Sequence, residues 1–117
     1  MNLKEYIECT YPYVAPNDLY NRVMDNPNIY ENDTIRTSGR VYQIVKRCEE
    51  EFDYLVFGDS KFSKIGAAIF KDEYYTEINK GEYIEILCVV KGTDKRTKVS
   101  GESIELPLVY IARVLNK

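Results

Sequence analysis

The chain has 117 residues, of which 44% are hydrophobic and 30% charged, and a net charge of −3. These figures fit one globular domain with a modest core and exclude a disordered segment. It contains no histidine, which removes the commonest general base, the commonest metal ligand and every Ser–His or Cys–His arrangement.

No apolar run approaches the roughly 20 residues that span a bilayer. Charges within MNLKEYIECT leave no signal-peptide hydrophobic region. A cytoplasmic protein with no membrane role is therefore expected. The cysteines Cys9, Cys48 and Cys88 are odd in number and widely spaced, which argues against a disulfide framework and a zinc site. Cys48 beside Arg47 is not expected to be a reactive thiol, since no histidine can activate it.

In chain order, Asn2 to Glu8 suits a short helix with Leu3 and Ile7 on one face. Tyr11-Pro12-Tyr13 breaks it. Pro16-Asn17-Asp18 starts a second helix, with Asn17 or Asp18 as cap, and Asn26-Pro27 stops it. Its Leu19 and Val23 share a stripe expected to pack on a β-barrel. Ile29 and Tyr30 are expected to tuck beneath that barrel.

Thr34 to Lys46 reads as a long first strand. Ile35, Val41 and Val45 are expected on one face, and Arg36, Arg40 and Tyr42 on the other. Gly39, near the middle, permits a bulge or sharp bend. Arg47 to Glu51 is a charged turn. Phe52 to Phe57 is a second strand, and Ile65 to Phe70 a third whose Gly66, Ala67 and Ala68 allow close packing. Lys80-Gly81 marks a turn. Tyr83 to Val90 is the fourth and most apolar strand. Lys91 to Gly101 reads as a basic loop, and Ile104 to Leu115 as the fifth strand, where Pro107 marks an edge, bulge or interruption.

A helix followed by five strands, the first long and glycine-bent, is the pattern of an OB-fold barrel. The expected fold is therefore mainly β: a five-stranded OB-fold-like barrel over residues 34–117, with a helical extension over 1–33 packed on it. Leu19-Tyr20, Asn26, Tyr30 and Ser38-Gly39-Arg40-Val41 resemble the opening of the tRNA-anti-like family of OB-fold proteins. Lys80-Gly81-Glu82, with Ile84, Ile86 and Gly92, resembles that family's turn and fourth strand, and Ile104 to Leu115 its last. The resemblance covers roughly 16–115. It implies a binding barrel, by analogy with anticodon-binding domains, and no catalysis.

No catalytic residue, metal ligand or cofactor is expected. Consecutive carboxylates Glu49, Glu50, Glu51 and Asp53 do not converge in an extended chain and read as a solvated hairpin. Net charge is uneven: −4 over 1–33, +2 over 34–71, −4 over 72–90 and +3 over 91–100. Two surfaces follow. Arg36, Arg40 and Tyr42, with Lys91, Lys95, Arg96 and Lys98, could track phosphates and stack single-stranded DNA or RNA. Tyr54 and Phe57, of opposite parity, cannot both join that platform. Asp72, Glu73, Tyr74, Tyr75, Glu77, Tyr83 and Glu85 form an acidic, tyrosine-rich surface suited to a basic protein partner. An exposed strand edge is a second way to dock one. The low cation count ranks a protein partner first, with this chain as an inhibitor of a nucleic-acid-handling partner, in the manner of a phage or mobile-element type factor. Single-stranded nucleic acid is the alternative.

Overall fold

The structure is a computed structural model describing residues 1–45, 52–59, 63–70, 78–97 and 100–117, with the side chains at 52, 53, 69, 70 and 96 excepted. Two short helices precede five strands: α1 (Leu3–Thr10), α2 (Pro16–Asp25), β1 (Thr34–Val45), β2 (Phe52–Gly58), β3 (Lys64–Phe70), β4 (Tyr83–Thr97) and β5 (Ser103–Val114). The sheet closes on itself in the order β1-β2-β3-β5-β4. Among the described strand pairs β3 and β5 run parallel and the others antiparallel. Closure gives each strand two neighbours over part of its length. Beyond the barrel, 93–97 of β4 and 103–107 of β5 pair with each other and, among the described residues, with no third strand, so the exposed edge considered as a docking route is confined to this hairpin.

The core follows the strand period. Ile84, Ile86, Cys88 and Val90 alternate along β4 and are each at most 1% exposed. Across the barrel they meet Leu55 and Phe57 of β2, Ile65 and Ala67 of β3, and Val109 and Ile111 of β5. On β1, Ile35 and Val41 point inward as expected. The register slips between Val41 and Gln43. That bulge hands the next inward position to Ile44, which packs on the core, in place of the expected Val45. Gly39 is not the bulge. An added Cβ there would lie 2.9 Å from the Phe57 ring and 3.0 Å from the Gly58 nitrogen, so it serves close approach of β1 and β2.

Local chemistry explains the helices. The Asn2 side chain accepts from the Glu5 N–H at 2.9 Å and caps α1. Of Leu3 and Ile7, expected on one face, Ile7 is buried and Leu3 half exposed. In α2 the cap position belongs to Ala15, without a side-chain bond, rather than to Asn17 or Asp18. Pro16 occupies the first turn, where its fixed φ suits a helix start and its missing N–H costs nothing, so the helix begins earlier. Leu19 and Val23 join the barrel core, and α2 touches β1, β3, β4 and β5. Tyr30 packs against that core, but Ile29 is largely exposed. Among the described residues, no helix is long and apolar enough to cross a membrane.

The expected loop from Lys91 to Gly101 is mostly strand: β4 runs on to Thr97 and pairs with β5 from Ser103. Register shifts between Leu87 and Cys88 and between Val90 and Thr93 interrupt this pairing, the latter carrying the chain through Gly92 at φ +96°. Glycine takes that left-handed conformation without a Cβ penalty, so the ladder resumes beyond it. Pro107, buried, pairs with Thr93 at this irregular point, where a missing N–H is tolerated.

Burial separates the two described thiols. Cys9 is exposed on α1, whereas burial pushes the Cys88 thiol up to about 12. The raised value means the fold favours the neutral thiol. That contribution is complete below the unfolded value of about 8.5 and is lost as pH rises through about 12. Iodoacetamide at pH near 8 is therefore expected to modify Cys9 in the native protein, and Cys88 only in denaturant, as read by peptide mass spectrometry. Native labelling of Cys88 would contradict this core.

Candidate nucleic-acid interface

Strand pairing sets four residues in one row across four strands. Tyr83 of β4 opposes Arg40 of β1, Arg40 opposes Gly58 of β2, and Gly58 opposes Lys64 of β3. Their neighbours Ile84, Val41, Phe57 and Ile65 point into the core, so alternation turns this row outward. At the usual strand spacing the row spans roughly 14 Å. Tyr42 lies beside it, with the Lys64 ammonium 5.0 Å from its ring centroid. The exposed Arg40 donates from Nη1 to the Gly81 carbonyl at 2.7 Å. Gly58 has no side chain because the Ser63 backbone crosses over it.

The turn that receives Arg40 is itself tied down. Gly81 adopts φ +87°, and its N–H donates to the Val41 carbonyl at 2.8 Å. The Lys117 ammonium, and then the Asn79 N–H, hold the Glu82 carboxyl below the usual carboxylate range. Arg40 is thus positioned by a braced turn.

Arg36 has a different surrounding. Its Nε donates to the Tyr11 carbonyl at 2.9 Å and its Nη2 to the Glu8 carbonyl at 3.3 Å. Its backbone accepts from Val14 N–H and donates to the Pro12 carbonyl, both at 2.8 Å. Arg36 therefore straps the segment after α1 onto β1. The same strap positions Tyr13, whose hydroxyl lies 2.5 Å from Ser38 Oγ and whose ring centroid lies 5.9 Å from the Arg36 guanidinium carbon. Tyr13, Arg36, Ser38, Tyr83, Glu85 and Leu115 line a recess of about 180 Å³. Residues expected on two separate surfaces, Arg36 with Arg40 and Tyr83 with Glu85, thus share one face of β1 and β4.

Of the cations expected in a loop, Lys91, Lys95 and Arg96 lie on the β4 extension. Lys91 donates to Asn32 Oδ1 at 2.9 Å and sits 5.4 Å from the Tyr110 ring centroid. Lys95 is exposed, opposite Glu105 in the hairpin. The Arg96 side chain and Lys98 lie outside the described residues, as do Asp72, Glu73, Tyr74, Tyr75 and Glu77, and Cys48 with Glu49, Glu50 and Glu51.

Neither Tyr54 nor Phe57 of β2 offers a stacking surface. Phe57 is in the core, and Tyr54 is buried on the opposite face with its hydroxyl against Gly66. Val56 and Ala68 are buried on that same face. Sequence reasoning missed Lys64 and Tyr13. Alternation alone turns Lys64 outward, but its place beside Arg40 depends on the β2–β3 register. Tyr13 arrives through a single parallel bridge to Arg36, which leaves no sequence period.

No family model matches the sequence, and no curated protein matches it either. Among solved structures, a chain described as an aspartyl-tRNA synthetase from Leishmania major Friedlin is similar, with TM-score 0.60 and 10% identity. The match covers 96% of this chain and 24% of that one, so the chain spans about a quarter of its length. The likeness is one of fold: a mainly β chain with a closed five-stranded sheet and two short helices, of OB-like form.

Proposed function

We propose that the chain is a non-enzymatic OB-type module that binds single-stranded nucleic acid on the outer face of β1. The observation that carries the reading is the row Tyr83, Arg40 and Lys64, with Tyr42 beside it. It sets two rings, Tyr83 and Tyr42, beside two cations, Arg40 and Lys64, so that a single strand can lay bases on tyrosines and phosphates on the positive groups. The fold of a chain described as a tRNA synthetase supports the same class of ligand. OB barrels commonly use the face of strands two and three. Here that face holds the buried Tyr54, Val56 and Ala68, so the platform lies on β1 and its neighbours instead.

This reverses the order expected from charge, which put a protein partner first. Of that acidic surface, the described part is Tyr83 and Glu85, and Tyr83 belongs to the row. A net charge of −3 is compatible with a local site that engages few phosphates. Arg40→Ala/Lys64→Ala removes two of its cations. It is expected to weaken binding of a labelled single strand about tenfold at low salt and to flatten the slope of log K against log salt by about 1.4. Fluorescence anisotropy reads both. Unchanged affinity and slope in the folded double variant would remove the platform from consideration.

A further inference from the structure

The recess at the Tyr83 end of the row has the chemistry of a site for one base. It is about 180 Å³ and is lined by two tyrosines, Tyr13 at 51% exposure and Tyr83 at 47%. A tyrosine ring this open has a large apolar face free for stacking. The Tyr13 ring is already held in place, by Ser38 at its hydroxyl and by Arg36 against its face. A held ring loses little freedom on binding.

Glu85 also lines this recess. Glu85 uses its backbone twice, donating to Asn116 Oδ1 at 3.0 Å and accepting from Leu115 N–H at 2.7 Å. Those bonds fix the strand and use none of the acceptors of the Glu85 carboxylate. An ionised carboxylate only accepts hydrogen bonds. It therefore selects a base edge with adjacent donors, and a strand phosphate avoids it. Guanine presents N1–H and N2–H₂ side by side. Uracil and thymine place carbonyl oxygens on both sides of a single N–H. Adenine and cytosine each offer one amino group beside an acceptor nitrogen.

We infer that this recess is a guanine-selective subsite, in which Tyr13 and Tyr83 stack the base and Glu85 accepts from N1–H and N2–H₂. The inference rests on the nucleic-acid reading above and adds sequence preference to it. Phosphates 3′ or 5′ to the guanine then fall on Arg40 and Lys64, away from Glu85, and the next base on Tyr42. The strand direction follows from whichever side the guanine prefers.

The test uses the full chain and labelled eight-nucleotide uridine strands, either unbroken or with one central G, A or C. The guanine strand is expected to bind about tenfold more tightly than unbroken uridine, the discrimination typical of a bidentate side chain–base contact. Glu85→Gln is expected to abolish that ratio while uridine affinity stays equal or rises, because a negative charge leaves the surface. A purely electrostatic role for Glu85 would move all four strands together and preserve the ratio. Equal binding of the four strands by the native protein would overturn the guanine subsite and leave the platform standing. No binding of any strand would overturn both. Guanosine 5′-monophosphate serves as competitor. Displacement of the guanine strand at equimolar mononucleotide would show a free-nucleotide site and overturn the strand-bound reading.

Discussion

Phe57→Ala is expected to cost about 3–5 kcal/mol of folding stability. Phe57 is completely buried, between Val41 of β1 and Ile65 of β3, and its ring lies beneath Gly39. Truncation to Ala removes the apolar surface of the ring and leaves a cavity that three paired strands cannot collapse to fill. Small domains have only about 5–15 kcal/mol in total, so this change removes a large share. In a domain of this size the melting temperature should fall by roughly 15 °C. Circular dichroism during heating reads it. A fall within a few degrees would mean that the ring is not at the centre of the core.

The second large effect is at Gly39. There β1 changes partners: Gly39 opposes Ile84 of β4, and the next residue, Arg40, opposes both Tyr83 and Gly58. A Cβ at position 39 would lie 2.9 Å from the Phe57 ring, 3.0 Å from the Gly58 nitrogen and 3.1 Å from its Cα. The ring can tilt, but the Gly58 backbone is held by pairing on both sides. Overpacking of this kind typically costs about 1–3 kcal/mol. Gly39→Ala should fall in that range, and Gly39→Val above it. Combining Gly39→Ala with Phe57→Leu should recover part of the loss, because the two changes share one space. Strict additivity in urea titrations would argue that Gly39 acts through backbone freedom and not through contact with Phe57.

The parts of the fold that the sequence made visible are those with a simple period. Ile84, Ile86, Cys88 and Val90 alternate without interruption, and Leu19 and Val23 form a one-turn stripe. Both patterns survive in the structure because each element buries one face. The bulge after Val41 left no such mark, since Ile44 and Val45 are both apolar and either could point inward. The β4 extension was hidden for another reason. Lysines and a glycine resemble a loop, but Gly92 supplies a positive φ at a bulge and the ladder continues past it.

The candidate site was less visible than the fold. Arg40 and Tyr42 could be placed on an outer face by counting along one strand. Grouping them with Lys64 and Tyr83 needed the register of four strands. Arg36 looked like a free cation, yet it binds carbonyls of Tyr11 and Glu8, more than twenty residues away. Backbone acceptors at that distance have no signature in side-chain order. Its part in the site is to position Tyr13.

The most direct test of the account is equilibrium binding of the native chain to labelled random single-stranded DNA and RNA at 50 and 200 mM salt. Two phosphate contacts predict measurable affinity at low salt that weakens about sevenfold at high salt. Absence of binding at the lower salt would contradict the nucleic-acid reading at its root.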